Sequence, residues 1–145
     1  MKAATIVLSV IASAVAQSVT ILSPAPRTTL SPGSTFVVDV DELPDPILPS
    51  YDVSIAIGLE SCGANRTQNE CVQLASEDML GTVLYAGDFT PQPRPNSTHL
   101  FQNYTVQVPS TMERGQALLN VAHFYLGGDG ASPSLETISL FVTIY

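Results

Sequence analysis

The chain has 145 residues, 45% of them hydrophobic and only 12% charged, with thirteen acidic side chains against five basic ones and a net charge of −8. That balance excludes binding to a phosphate backbone, which needs clustered cations to release counterions, so nucleic acid is not an expected partner. Eleven Pro and nine Gly in so weakly charged a chain imply one modest, turn-rich β domain rather than a helical bundle or a disordered tail.

The amino terminus reads as a secretory leader. Lys2 supplies a positive charge, an apolar run follows from Ala3 to about Val10, and Ala14-Val15-Ala16 is a small-x-small cleavage signal before Gln17. The run ends short of the roughly 20 apolar residues that a membrane span requires. The expected organisation is therefore a signal peptide over residues 1–16, cleaved between Ala16 and Gln17, and a single domain over 17–145, secreted and extracellular with no membrane span. Cleavage removes the only lysine and leaves thirteen acids against Arg27, Arg66, Arg94 and Arg114, a net charge of −9.

Beyond the leader the hydrophobic period is two. Phe36, Val38 and Val40 alternate with Val37, Asp39 and Asp41, and Val53, Ile55, Ile57 and Leu59 alternate with Ser54, Ala56, Gly58 and Glu60. This is the pattern of half-buried strands. The four acids Asp39, Asp41, Glu42 and Asp45 lack the EF-hand spacing for calcium, and the expectation is a solvated strand edge that resists sheet-to-sheet pairing. Cys62 and Cys71 enclose a short polar segment. In an oxidising compartment such a pair forms a disulfide, and the spacing is not the C-x-x-C of a redox or metal site.

A helix fits only residues 74–80. Next come a Pro-rich loop with the sequon Asn96-Ser97-Thr98, and a strand in which Tyr104, Val106 and Val108 face inward while Asn103, Thr105 and Gln107 face out. Asn65, Asn96 and Asn103 each begin an N-x-S/T sequon and are candidate glycosylation sites. In 117–126 the sequence leaves the strand phase open: if Leu119, Val121 and Tyr125 face inward, then Leu118, Phe124 and Leu126 are outside beside Phe141 and Tyr145. Those five outward residues are the candidate partner-binding surface, unless loops or the second sheet cover them. The last strand places Ile138, Leu140, Val142 and Ile144 inside.

Turn chemistry separates about seven strands, near 18–22, 34–41, 51–60, 80–88, 99–108, 115–126 and 135–145. The expected fold is all-β, an immunoglobulin-like antiparallel β-sandwich held by packing, since there is no Trp and the cysteines are too close in sequence to bridge two sheets. Gly127-Gly128-Asp129-Gly130 joins two strands and precedes no helix, so it reads as a hairpin connection rather than a phosphate loop.

Catalytic patterns are missing from the sequence: there is no G-x-S-x-G, no H-E-x-x-H and no GK[ST]. His99 and His123 alone do not make a metal site, and His123, amid Ala122, Phe124 and Tyr125, reads as a packed, hydrogen-bonded strand residue. A copper polysaccharide monooxygenase would need a mature amino-terminal histidine where Gln17 stands. The expectation is no enzyme, no cofactor and no metal.

The run Gly115-Gln116-Ala117-Leu118-Leu119-Asn120-Val121-Ala122-His123-Phe124-Tyr125-Leu126, then Gly128, Ser132-Pro133-Ser134-Leu135-Glu136-Thr137 and Val142-Thr143-Ile144, resembles the fungal necrosis-inducing secreted protein family. Leu80-Gly81-Thr82-Val83-Leu84-Tyr85 and Tyr104-Thr105-Val106-Gln107-Val108-Pro109 are similar to it too. The resemblance implies a non-enzymatic fungal effector that binds host protein kinases of the plant immune receptor complex, lowers their activity and so suppresses pattern-triggered immunity. Some targets of such effectors lie in the host cytosol, which implies translocation into host cells. A competing class is structural: Val19-Thr20-Ile21-Leu22-Ser23-Pro24 with Ser31-Pro32-Gly33-Ser34-Thr35 is similar to the start of immunoglobulin-like domains of fungal cell-wall proteins, whose partner would be a cell-wall glycan. Those proteins continue into a Ser/Thr-rich stalk, and that pattern is missing from this sequence.

Overall fold

Alternating apolar residues along most of the longer runs leave the backbone one economical solution, two sheets sharing a dry face. A computed structural model of the chain describes residues 18–44, 50–63, 66, 70–71, 73, 79–128 and 130–145. The leader with its Ala16–Gln17 cleavage site, Asn65, Asp45 and most of the 74–80 segment lie outside these residues. The described strands are β1 (Val19–Ser23), β2 (Thr29–Leu30), β3 (Thr35–Glu42), β4 (Ser50–Ser61), β5 (Thr82–Asp88), β6 (Gln92–Pro93), β7 (Leu100–Gln107), β8 (Gly115–Gly127) and β9 (Ser132–Ile144). Every one of the seven expected strands is present. The two additions, β2 and β6, are two residues long and carry no readable period.

The protein is all-β. A four-stranded sheet has the order β1-β3-β7-β6 and a five-stranded sheet the order β2-β9-β8-β4-β5; one of the two curls into a half-barrel. The ladders are antiparallel except for the short β2–β9 contact. The long β8–β9 hairpin runs in register from Gly115 opposite Ile144 to Gly127 opposite Ser132. It turns at the expected glycines, with Gly128 in the left-handed region at φ 72°.

A single apolar core joins the sheets. Val38, Val40, Tyr104 and Val106 of the smaller sheet and Ile55, Ile57, Leu59, Leu119, Val121, Ile138, Val142 and Ile144 of the larger belong to one buried cluster. The alternation read from the sequence gives these residues correctly, with two departures. Val53 was expected inside, but the β4–β8 register shifts between Asp52 and Ser54, so Val53 is exposed and Asp52 contacts the buried His123 instead. A single extra residue reverses the faces of a strand from that point on. The acids of β3 were expected at a solvated edge. In fact β3 lies between β1 and β7, and Asp41 and Glu42 are buried.

Candidate interaction face

The outer face of the larger sheet is divided into a covered end and an open end. At the covered end Cys62 and Cys71 are joined in a disulfide with a Cα–Cα distance of 5.2 Å. Both sulfur-bearing residues are buried and pack on Leu118 and Phe141, which face each other across β8 and β9. This corrects the expected binding surface: Leu118 is 1% exposed and Phe141 half-buried, because the two half-cystines lie against them.

The cover continues to mid-sheet, where the chain returns to β5. The Asn120 amide donates to the carbonyls of Met79 at 3.1 Å and Leu80 at 3.5 Å, and its oxygen accepts from the Ser139 hydroxyl at 2.7 Å. Asn120 is buried, so these bonds supply the partners that desolvation would otherwise deny it.

Past Ala122 the face is open. Phe124 sits opposite Leu135, and Leu126 lies between Pro133 and Tyr51. Tyr51 is 63% and Leu135 68% exposed, while Phe124 and Leu126 are half-buried. Of the five residues singled out in the sequence, only Phe124 and Leu126 stand on this open end. Tyr145 is 73% exposed but follows β9 at the far end of the hairpin, with the Arg114 guanidinium 5.6 Å from its ring centroid. Tyr51, Pro133 and Leu135 were missed; register pairing, invisible in the sequence, is what gathers them.

Beneath the open end lies a buried polar cluster. His123 accommodates two carboxylates, Glu136 Oε1 at 2.9 Å from Nδ1 and Asp52 Oδ1 at 2.9 Å from Nε2. Its ring also stacks on Tyr125 and meets the edge of Phe89. Glu136 accepts from the Ser18 amide at 2.9 Å and from the Ser18 hydroxyl, which ties the start of β1 to β9. Burial opposes charging of His123, but the bonds to Asp52 and Glu136 outweigh it and push its pKa up to about 9. Burial likewise works against Glu136, yet His123 and Ser18 hold its carboxyl below the usual range. Glu42, from the opposite sheet, is pushed up to about 7 by burial and by Asp52, and its Oε2 is buried without a hydrogen-bond partner.

His123 thus proves to be the packed, bonded strand residue the sequence indicated. The readable clue to its partners was phase: Glu42 and Glu136 continue the inward alternation of Val38–Val40 and Ile138–Leu140, a placement that only a buried counter-charge makes tolerable.

On the smaller sheet Arg94 bridges the two outward acids of β3. Its Nε donates to Asp41 at 2.6 Å, and its Nη atoms donate to Asp39 at 2.6 and 3.2 Å. The guanidinium lies 4.3 Å from the ring centroid of Phe101, and His99 Nδ1 is 2.5 Å from Asp41. Asn96 and Asn103 are both exposed, Asn96 in a left-handed turn at φ 58°. Among the described residues no group of three His, Cys, Asp or Glu side chains is placed to hold a metal ion, and no helix is long and apolar enough to cross a membrane.

The sequence profile of the Nis1 family matches residues 12–143, nearly the whole chain. The protein belongs to the Nis1 family. No curated protein matches it. The Nis1 match spans both sheets, the disulfide and the open end of the larger sheet, so these features sit in the family domain and not in an appendage. It also begins inside the predicted leader.

Proposed function

We propose that this Nis1-family protein is a secreted fungal effector, without catalysis of its own, that binds and inhibits immune receptor-associated kinases of a plant host and so suppresses pattern-triggered immunity. Membership of the Nis1 family, an effector-like fungal family, supports the reading. The observation that carries its physical side is the open end of the larger sheet. Tyr51, Phe124, Leu126, Pro133 and Leu135 form an apolar group on one rigid face, the kind of surface that a soluble protein reserves for a partner. Inhibition would come from occlusion, the open face covering part of the kinase surface, and the strongly acidic chain would favour a basic rim around it. The leader supports secretion, and the disulfide suits an oxidising compartment. The two sheets with their shared core are read as an immunoglobulin-like sandwich with one sheet rolled.

The test is a pull-down of purified residues 17–145 with plant immune-receptor kinase domains, with insoluble glucan and chitin sedimentation in parallel. Saturable kinase binding with reduced phosphorylation is the expected result. Retention on glucan without kinase binding overturns it in favour of a cell-wall module.

A further inference from the structure

The strand β7 places Phe101, Asn103 and Thr105 on one outward face, two residues apart, so the sequon Asn103-Tyr104-Thr105 presents its acceptor and its hydroxyl to the same side while Tyr104 goes into the core. Directly across on β3, Asp41 faces Phe101, Asp39 faces Asn103 and Val37 faces Thr105. Arg94 is fixed against this row by both acids and by the Phe101 ring. Three of its five N–H donors go to the carboxylates, which leaves two for a further acceptor. Val37, diagonal to Asn103 across the two strands, is 42% exposed.

A pre-ordered guanidinium with spare donors, an aromatic ring and an exposed apolar side chain make a set of contacts suited to an N-acetylhexosamine. Its carbonyl and hydroxyl oxygens would accept from Arg94, and its C–H face and methyl group would cover Phe101 and Val37. Asn96 stands apart from this row, in the exposed 95–98 turn.

We propose that Asn103 carries an N-linked glycan whose first N-acetylglucosamine is held by Arg94, Phe101 and Val37, so that the sugar becomes a working part of the smaller sheet's outer face. This rests on the secretion reading. The donor is the lipid-pyrophosphate-linked oligosaccharide of the secretory pathway: Asn103 Nδ2 forms a bond to C1 of the first sugar, the C1–O bond to pyrophosphate breaks, the lipid pyrophosphate leaves and the amide gives up one proton. A consequence is polarity. A glycan on this face removes it from contact with a protein partner and leaves the open end of the larger sheet as the docking side.

The full-length chain is expressed in a eukaryotic secretory host, and the medium is analysed by mass spectrometry for both the amino-terminal residue and the sugar at each sequon. Melting is then compared among the intact glycoprotein, the protein trimmed by endoglycosidase H to one sugar, Asn103→Gln and Asn96→Gln. The expected result is occupancy of Asn103, with the trimmed protein and Asn96→Gln melting with the intact form and Asn103→Gln melting about 3 °C lower or more. In a Phe101→Leu background that deficit should shrink, because the two residues share one contact. A processed, secreted protein bare at Asn103 overturns the proposal while sparing the secretion reading, and a chain retained with its leader overturns both. Equal melting of Asn103→Gln and the occupied protein also overturns it, whatever the outcome of kinase binding.

Discussion

Gly58 lies directly under the Leu80 carbonyl: a Cβ built on Gly58 would stand 2.2 Å from that oxygen. Gly58 is opposite Asn120 on β8, whose amide donates to the Leu80 carbonyl from the neighbouring strand. The return segment therefore touches the larger sheet at a place made for it by one missing side chain and one buried amide. Gly58→Ala must lift the segment or bend β4, which costs about 1–3 kcal/mol of stability. Thermal melting checks this, and an unchanged midpoint would mean that the segment does not rest on the sheet.

The disulfide is a lid as well as a link. Its two half-cystines cover Leu118 and Phe141, so removing it both frees a short loop and exposes apolar surface. Cys62→Ser with Cys71→Ser should lower stability by about 2–4 kcal/mol and raise binding of a hydrophobic dye at otherwise native conditions. Phe141→Ser should lower the melting temperature too, as it would not if the residue stood free on the surface.

Period-two alternation is a local property, and it was enough to place Phe36, Val38, Val40, Ile55, Ile57, Leu59, Tyr104, Val106, Ile138, Leu140 and Val142 in or against the core. What the sequence hid was set by contacts between distant strands. The irregularity at Asp52 and Ser54 turned Val53 outward, and no residue near it announces a bulge. The meeting of Ser18, Asp52, His123 and Glu136 needs β4, β8, β9 and the entry to β1 to be assembled first. The candidate face suffered in the same way. Phe124 and Leu126 could be read as outward, but whether Leu118 and Phe141 were open depended on where Cys62 and Cys71 came to lie.

The open end of the larger sheet separates binding from folding. Leu135 and Tyr51 project from it with little burial to lose, so Leu135→Asp and Tyr51→Ser should each change stability by no more than about 0.5 kcal/mol. If this face meets the kinase, the same changes should weaken binding tenfold or more, about 1.4 kcal/mol. Melting curves and a binding isotherm on the same preparations check both halves. Full affinity in a Leu135→Asp, Tyr51→Ser double variant would place the contact elsewhere.

The buried cluster makes stability depend on pH in a definite direction. Glu42 holds its proton up to about pH 7 in the folded chain against an ordinary value near 4.5, so the folded state binds the more protons between those limits. Its contribution is complete below about pH 4.5 and is lost as pH rises through 7. His123, raised from 6.5 to about 9, contributes fully below about pH 6.5 and loses that contribution as pH rises through 9. Glu136, lowered, acts oppositely: it stabilises above its ordinary value and ceases to as pH falls through its folded one. The three together put the stability maximum in mildly acidic solution, near pH 5, with a decline as pH rises toward 9. Urea unfolding from pH 4 to 9 measures the profile. Glu42→Gln should flatten the part between pH 5 and 7 and leave the decline toward pH 9, because a neutral amide takes the place of the protonated acid and His123 still titrates. His123→Ala should cost about 3–5 kcal/mol at pH 5 by stranding Asp52 and Glu136 without their cation. A profile that rises from pH 5 to 8 in the unmodified protein would show that these carboxyls are not buried together.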